Sequence, residues 1–431
     1  MSSAAPPALL LEQVQLLEGP DQPPRLTTVL LESGSFSAQG EAARQRGVAL
    51  GLSPVQAEGW LLAPCLVDPH TQLDDPWLGT AETLASLERS AIAAGYGTVA
   101  LLPRASSWPD RPDRLQPLDP ASPLQWLLWG SFSRGGEGQE LAGHADQLAA
   151  GAIGLAEGEN APPLALLERG LGLGECGAAP LLLAPRDPAL SRNGFVREGV
   201  ETLRAGWPPD PVVSETVPLQ GLLALARHHR GVRLQLMNLS TAAALELLAA
   251  LPPQERPEAS VCWWHLLADS ASLDPIAEGW RVVPPLGTPA DRLALQRALA
   301  EGLISAVAVH HQALDPEEQL LPLDQRKPGV AGHRFVLPCL WQELVVGAGW
   351  SPQQLWRAVC FGPAALLGLE PPRLQPGSQR WLLFDPSQRW RPADDPWAPL
   401  AANQPLAQAE LCGRVLACGL NPQLWQGPSL A

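Results

Sequence analysis

The chain has 431 residues, with 44 acidic and 29 basic side chains and a formal net charge of −15. Apolar residues make up 46% of the chain and charged residues only 17%, so there is ample apolar material for a core and a disordered acidic chain is excluded. The acidic balance also argues against duplex nucleic acid or an anionic membrane surface as the main partner, because both attract Lys and Arg.

Cysteine spacing and the N-terminus indicate the compartment. The seven cysteines are scattered and form no Cys-x-x-Cys motif, so neither a disulfide framework nor a structural zinc site is predicted. No apolar run approaches the roughly 18 residues of a membrane span. The first basic residue is Arg25, which is unlike a signal peptide. These features predict a soluble cytoplasmic protein.

Short apolar runs that alternate with helical patterns dominate the middle of the chain. Eight runs are typical of parallel strands buried on both faces: Leu61–Val67, Thr98–Leu102, Gln125–Trp129, Ala152–Leu155, Pro180–Ala184, Val232–Met237, Ala259–Trp264 and Ser305–Val309. Helices are predicted over Thr80–Ala94, Gly138–Ala150, Leu219–His229, Thr241–Leu251 and Pro289–Glu301. The alternation favours a (β/α)8 barrel, an α/β fold, with a doubly wound open sheet as the alternative.

The pattern changes toward both chain ends. Short strands are predicted at Leu9–Leu17, Leu26–Leu31, Val48–Leu52, Trp381–Phe384 and Glu410–Cys418. We therefore expect both ends to form one small β-sandwich subdomain with the barrel inserted between them. The expected division is 1–60 and 370–431 for the two parts of the subdomain, and 61–369 for the barrel.

The end of the first run carries a motif that resembles a known family. Catalytic groups of a barrel lie at the carboxyl ends of its strands, and here the sequence is Asp68-Pro-His70-Thr-Gln72. It resembles an incomplete D-x-H-x-H, the first metal motif of the amidohydrolase superfamily. Its context, LAPCLVDPHTQLDDPW, is similar to dihydroorotase. Four later segments resemble that family in the same order: AAGYGTVALLP (93–103), WRVVPPL (280–286), ADRLALQRALAEGLI (290–304) and FGPAALLGL (361–369).

The resemblance covers about residues 26 to 420. It implies an amidohydrolase-type barrel that uses one or two zinc ions and a strand 8 aspartate to cyclise carbamoyl aspartate to dihydroorotate in pyrimidine synthesis. The metal positions depart from that pattern. His70 is kept, but Gln72 replaces the second histidine, and the bridging position falls at best on Glu157. The family's strand 5 and strand 6 histidines fall near Ala184 and on Asn238, while the catalytic aspartate and the next histidine fall on His310 and His311.

Zinc needs three or four converging ligands, so no metal and no catalytic residue is expected. If a metal is bound, its candidate ligands are His70, Glu157, His310 and His311. The substrate positions depart as well. Asp74 stands where the family has a substrate-binding arginine and would repel a carboxylate, while Arg104 is a candidate anion-binding residue. The vestigial pocket is predicted to contain Asp68, His70, Gln72, Asp74, Arg104, Glu157, Asn238, His265, His310 and His311.

Three functions follow as hypotheses. The first is a non-catalytic dihydroorotase-like protein that has lost its zinc centre and acts in assembly or regulation, with aspartate carbamoyltransferase or with itself. The second is an active dihydroorotase, or another cyclic-amide hydrolase, with a rebuilt one-zinc site. The third is a metal-free protein that binds a small anion at Arg104. No nucleic acid or membrane partner is expected.

Overall fold

The computed structural model describes residues 8–103, 108–115, 118–272, 280–322 and 324–427. Its strands are β1 Ala8–Leu16, β2 Arg25–Glu32, β3 Ser35–Gln39, β4 Val55–Gln56, β5 Leu61–Pro64, β6 Leu66–Thr71, β7 Tyr96–Leu101, β8 Gln125–Leu128, β9 Gly130–Ser131, β10 Leu155–Ala156, β11 Pro180–Leu183, β12 Val196–Arg197, β13 Pro209–Asp210, β14 Arg233–Leu236, β15 Glu258–Cys262, β16 Ala306–Ala308, β17 Trp381–Trp390 and β18 Leu411–Cys418.

The helices follow the barrel strands and also lie beside the terminal sheet. They are α1 Gly40–Ala49, α2 Leu84–Ala93, α3 His144–Ala149, α4 Leu164–Leu173, α5 Pro188–Ser191, α6 Val200–Ala205, α7 Val213–His228, α8 Ala242–Ala249, α9 Pro289–Ala300, α10 His333–Leu340, α11 Pro352–Trp356 and α12 Gly362–Leu366. Wider π-helical turns over Trp341–Gly347 and Arg357–Phe361 continue α10 and join α11 to α12.

Parallel pairing closes the central strands into a barrel. β6, β7 and β8 pair in parallel, and a second parallel sheet runs in the order β9, β10, β11, β14, β15 and β16. Trp129 joins β8 to β9, which together form one barrel strand. The ring closes where the His310 N–H donates to the His70 carbonyl at 3.2 Å and the Gln72 N–H donates to the His311 carbonyl at 2.9 Å. The predicted eight-stranded barrel is confirmed, and the open sheet is wrong.

Side-chain caps explain where two of the predicted helices begin. The Thr241 hydroxyl accepts the Ala244 N–H at the start of α8. Thr288 and Asp291 form a reciprocal capping box at the start of α9, whose first residue is Pro289. Each cap satisfies backbone N–H groups that have no partner within the helix. Both predicted helix starts are confirmed.

The chain ends meet in one seven-stranded sheet of order β18, β17, β5, β1, β2 and β3, with β4 paired to β1. The expected β-subdomain built from both ends is therefore present. Two strand predictions are wrong in detail. The run Leu61–Val67 does not form one barrel strand, because Leu61–Pro64 pairs with β1 and β17 and the barrel begins at Leu66. Val48–Leu52 is not a strand, because α1 extends to Ala49.

These two errors have physical causes. Every residue of β5 and β6 is buried, so the apolar pattern does not change where the chain passes from the terminal sheet into the barrel. Val48 is 77% exposed at the end of α1, so its apolar character reports no buried strand face. The division at residues 60 and 369 stays a prediction. None of the described helices combines the length and the apolar character needed to cross a bilayer.

Candidate functional site

Strands β6, β15 and β16 bring a group of polar side chains together at the carboxyl end of the barrel. Asp68 and His70 lie on β6, Ser260 lies on β15, and His310 follows β16. None of these side chains reaches the surface: Asp68, His70 and Ser260 are 0% exposed and His310 is 5% exposed. Buried polar groups must find partners within the protein, and the partners they find define the chemistry of the site.

A chain of hydrogen bonds links Gln72, His310, His70 and Ser260, which we call the histidine cluster. Gln72 Nε2 lies 3.3 Å from His310 Nε2, His310 Nδ1 lies 3.2 Å from His70 Nδ1, and His70 Nε2 lies 2.8 Å from Ser260 Oγ. An amide NH2 can only donate, so in this orientation His310 Nε2 accepts. Then His310 Nδ1–H donates to His70 Nδ1, and His70 Nε2–H donates to the Ser260 hydroxyl.

This sequence of donors and acceptors requires both imidazoles to be neutral. Burial and the neighbouring His310 lower the pKa of His70 well below its ordinary value, which agrees with the neutral tautomer that the hydrogen bonds assign. Both ring nitrogens of His70 are therefore used by protein partners at neutral pH. A metal would have to displace one of these partners to reach either nitrogen.

Asp68 is held on both carboxylate oxygens. Its Oδ1 accepts the Val309 N–H at 3.0 Å, and its Oδ2 accepts from His333 Nε2, also at 3.0 Å. The His333 ring stands edge-on to Tyr96, with 4.8 Å between ring centroids. Burial lowers the pKa of His333 although the bond to Asp68 opposes that effect. The sequence does not single out His333, whose only signal is its place directly after the glycine of a Pro-Gly-Val-Ala-Gly loop.

His310 and His311 point in different directions, as neighbouring residues at a strand end do. His311 Nδ1 accepts the Gly332 N–H at 3.4 Å, and its Nε2 lies 3.5 Å from Glu82 Oε2. Burial raises the pKa of Glu82, but the neighbouring His311 ring, with bonds from Ser86 and the Leu400 N–H, lowers it overall. His311 therefore belongs to a separate pair beside the histidine cluster.

The other predicted residues are spread around the barrel end. Glu157 accepts both the backbone N–H of Ser133, at 3.0 Å, and the Ser133 hydroxyl, and burial raises its pKa. His265 donates from Nε2 to the Pro284 carbonyl at 2.9 Å, and burial lowers its pKa to about 4. Asn238 is 3% exposed, and neither its side-chain oxygen nor its nitrogen has a hydrogen-bond partner.

Asp74 and Gln72 line a cavity of about 260 Å³ beside β6, together with Glu82. Arg104, the predicted anion-binding residue, lies outside the described residues. The cavity therefore has an acidic wall on the Asp74 side, which agrees with the expectation that this side of the mouth repels a carboxylate.

The residues present do not fit the zinc centre that the resemblance implies. Zinc needs three or four ligand atoms around one point, and of the four candidate ligands only His70 and His310 meet. Glu157 is bonded to Ser133, and His311 is bonded to Gly332 beside Glu82. Within the described ranges, no group of three or more His, Cys, Asp and Glu side chains could hold a metal ion.

The Ser260–His70 pair resembles a nucleophile and its base but cannot serve as one. Ser260 is fully buried, so no substrate carbonyl can approach its hydroxyl. The group behind His70 is another neutral imidazole, not a carboxylate that would stabilise an imidazolium. The Asn238 N–H also donates to Ser260 Oγ, at 3.1 Å. The pair therefore supports structure and not acyl transfer.

Two arginines at the same end of the barrel, Arg186 and Arg281, are not among the site residues predicted from the sequence. Arg186 follows β11, and its Nε is buried without a partner. Its two other nitrogens make only long contacts, at 3.4 Å to Asn160 and 3.5 Å to Asp210. Arg281 stacks over Phe195 at 4.9 Å, and its Nε and Nη1 are buried without partners. Unfilled buried N–H groups depend on tertiary packing, so no local pattern predicts them.

Comparison with known proteins identifies the family. The chain is 36% identical over 411 residues to a probable dihydroorotase-like protein of Synechocystis sp., covering 84% of this chain and 89% of the relative. It belongs to the dihydroorotase family. The dihydroorotase of Syntrophobacter fumaroxidans is 30% identical over 322 residues, covering 73% of this chain and 72% of that enzyme. A scan against protein-family models gives no match.

Solved structures agree with this family's fold. The L-hydantoinase (dihydropyrimidinase) of Arthrobacter aurescens superposes with a TM-score of 0.75 at 18% identity, covering 95% of this chain and 93% of that chain. The D-hydantoinase (dihydropyrimidinase) of a Thermus species gives 0.73 at 17% identity, covering 96% of each chain. The dihydroorotase-family barrel and its accompanying sheet are thus of the amidohydrolase type.

Proposed function

We propose that this dihydroorotase-family protein is non-catalytic, that its zinc centre has been replaced by the histidine cluster, and that it acts in assembly or regulation within pyrimidine synthesis. One observation carries the proposal: at neutral pH both ring nitrogens of His70 and of His310 have protein partners. A hydrolase of this family needs a metal-activated water and a base for its proton. Here His310 occupies the position of that base and is itself a member of the hydrogen-bond chain.

Zinc content and dihydroorotate turnover, measured on the same purified sample, test the proposal. We expect zinc well below one ion per chain and no turnover above the uncatalysed rate. His70→Ala should change neither result, and His228→Ala, which alters an exposed histidine, provides the matched control. One zinc per chain, with turnover that His70→Ala abolishes and His228→Ala retains, would overturn the proposal.

The proposed assembly role has aspartate carbamoyltransferase as its specific partner and self-association as the alternative. The family resemblance supports this role. A barrel without activity still keeps its folded surface, and that surface can form interfaces. Co-elution of the two purified proteins at micromolar concentration tests the partner. Separate elution overturns that partner without touching the metal-free proposal, and light scattering of this chain alone then tests self-association.

A rebuilt one-zinc hydrolase is the second candidate, and one distance favours it. The two Nδ1 atoms of His70 and His310 lie 3.2 Å apart, close to the ~3.3 Å edge of a tetrahedral zinc site with Zn–N bonds of about 2.0–2.1 Å. Against it, Glu157 and His311 each hold other partners. The same zinc analysis separates this candidate from the non-catalytic one.

A metal-free anion-binding role is the third candidate. Arg186 and Arg281 offer buried N–H groups without partners at the barrel end, and a carboxylate would satisfy them. A melting shift with a pyrimidine precursor that Arg281→Ala removes would support this candidate. An unchanged melting temperature with every precursor tested would count against it.

A further inference from the structure

A second cavity lies on the face of the barrel opposite the histidine cluster, at the amino ends of β14 and β15. Its volume is about 780 Å³, which falls within the range of small-molecule sites. The lining residues are Ala226, Arg227, Arg230, Val232, Arg233, Leu234, Gln254, Glu255, Arg256, Pro257 and Glu258. We call this cavity the arginine groove, because four of its lining residues are arginine.

Two of the four guanidinium groups are neutralised within the groove. Arg227 Nε lies 3.1 Å from a Glu255 oxygen, and Arg233 Nη2 lies 2.9 Å from a Glu258 oxygen. The Arg233 pair is further fixed because Nη2 also donates to the Ala365 carbonyl. These pairs leave the charge of the two remaining arginines without a carboxylate.

Arg256 and Arg230 supply that uncompensated charge. Arg256 donates to the Leu251 and Ala249 carbonyls, each at 2.8 Å, so its guanidinium is held in place without losing its positive charge. Arg230 is exposed and makes no hydrogen bond or ion pair within the described part of the chain. A fixed and a free guanidinium on one cavity are suited to an anion with more than one acceptor group.

We propose that the arginine groove binds a small polyanion through Arg230 and Arg256, at a site separate from the histidine cluster. The two unneutralised guanidinium groups give the groove a local positive charge on a chain with net charge −15, which attracts an anion to a surface that otherwise repels it. Ala226, Val232, Leu234 and Pro257 also line the cavity, so the ligand can carry an apolar part. Phosphate and carboxylate groups share the required chemistry.

Calorimetric titration of the whole chain with inorganic pyrophosphate, adenosine diphosphate and citrate tests the proposal. We expect saturable binding of at least one of them, weakened about tenfold or more in Arg230→Ala, since one charge-assisted hydrogen bond is lost. Glu255→Gln frees Arg227 and should tighten binding about threefold by removing a like charge. Arg204→Ala is the matched control, because Arg204 is an exposed arginine paired with Glu201 on another part of the surface.

The titrations answer two questions: whether the groove binds an anion at all, and whether that anion carries phosphate or carboxylate groups. Tighter binding of pyrophosphate and adenosine diphosphate supports a phosphorylated ligand, and tighter binding of citrate supports a polycarboxylate. No binding of any of the three at millimolar concentration overturns the proposal. Binding that Arg230→Ala and Arg204→Ala weaken equally also overturns it, because the effect would then be one of overall charge.

Discussion

Two clusters of buried polar side chains satisfy their hydrogen-bonding groups differently, one through neutral hydrogen bonds and the other through ion pairs. The histidine cluster satisfies its members through neutral hydrogen bonds. The second cluster, which we call the ion cluster, consists of Arg197, Asp210 and Glu215, all at most 2% exposed. Arg197 lies 3.3 Å from Asp210 and 3.2 Å from Glu215. A buried charge must keep its partner, whereas neutral groups can exchange partners at lower cost.

We therefore expect a substitution in the ion cluster to destabilise the protein more than a substitution in the histidine cluster. Arg197 also donates to Ser214 and Ser240, at 2.9 and 2.8 Å. Burial raises the pKa of Glu215, opposed by Arg197 and by bonds from Ser240 and Thr241. The histidine cluster shows how buried polar side chains satisfy one another without introducing charge. Neutral donors and acceptors can therefore fill this end of the barrel without a buried ion pair.

The largest expected effect comes from the ion cluster. Arg197→Met leaves buried Glu215 without its counter-charge, and Asp210 keeps only the long 3.5 Å contact to Arg186. We expect the substitution to lower the free energy of unfolding by about 3–5 kcal/mol. Urea unfolding at pH 7 measures the change. Arg204→Met, at an exposed ion pair, should change stability by no more than about 0.5 kcal/mol. Equal effects of both substitutions would show that the buried ion pair is no more costly to break than an exposed one, which would contradict the expectation.

A smaller loss is expected within the histidine cluster. Ser260→Ala removes the acceptor of the His70 Nε2–H and of the Asn238 N–H, and two unsatisfied buried donors should cost about 2–3 kcal/mol. Urea unfolding again gives the value, with Ser272→Ala at an exposed serine as control. A loss of unfolding free energy as large as that of Arg197→Met would show that the histidine cluster is as sensitive to substitution as the ion cluster.

The pH dependence of stability tests whether the buried histidines are neutral in the folded chain. The pKa of His265 is about 4 in the folded chain and about 6.5 when unfolded, so between these values the unfolded state binds more protons. Stability therefore rises with pH across this window and is lost as pH falls, by about 2 kcal/mol between pH 7 and 5. His70, His144 and His333 have lowered pKa values too and act in the same direction.

His265→Gln isolates one part of that slope, since a glutamine amide can still donate toward the Pro284 carbonyl but does not titrate. We expect the curve of unfolding free energy against pH to flatten by about 2 kcal/mol over this window. Urea unfolding from pH 5 to 7 measures both chains. Parallel curves for the variant and the parent would show that His265 is not held neutral.

The smallest effect is expected at Glu157. Glu157→Gln keeps one oxygen acceptor for Ser133, and burial already raises the pKa of the carboxyl. We expect a change of less than about 1 kcal/mol in stability and no change in zinc content. A loss of bound zinc in this variant would show that Glu157 is a ligand and that the histidine cluster is only the metal-free form of a working site.

Much of the fold could be predicted from the sequence, because each barrel strand has a short apolar run and Thr241 and Thr288 mark helix starts locally. The change of sheet at Cys65 could not, since the residues on both sides are buried alike. The strand-end motif indicated His70, and the resemblance to the dihydroorotase strand 8 motif indicated His310. The bond between Asp68 and His333 joins residues 265 positions apart, and the free N–H groups of Arg186 and Arg281 depend on packing that no local pattern carries.

Nitrogen-15 NMR of the chain labelled at its eight histidines, recorded with and without added zinc, reads the protonation of the histidine cluster and its metal binding together. We expect His70 to be neutral with its proton on Nε2 and His310 to be neutral with its proton on Nδ1. One equivalent of zinc should leave both signals unchanged. Shifts of the His70 and His310 ring nitrogens to values of metal-bound imidazole, saturating at one zinc per chain, would contradict this expectation.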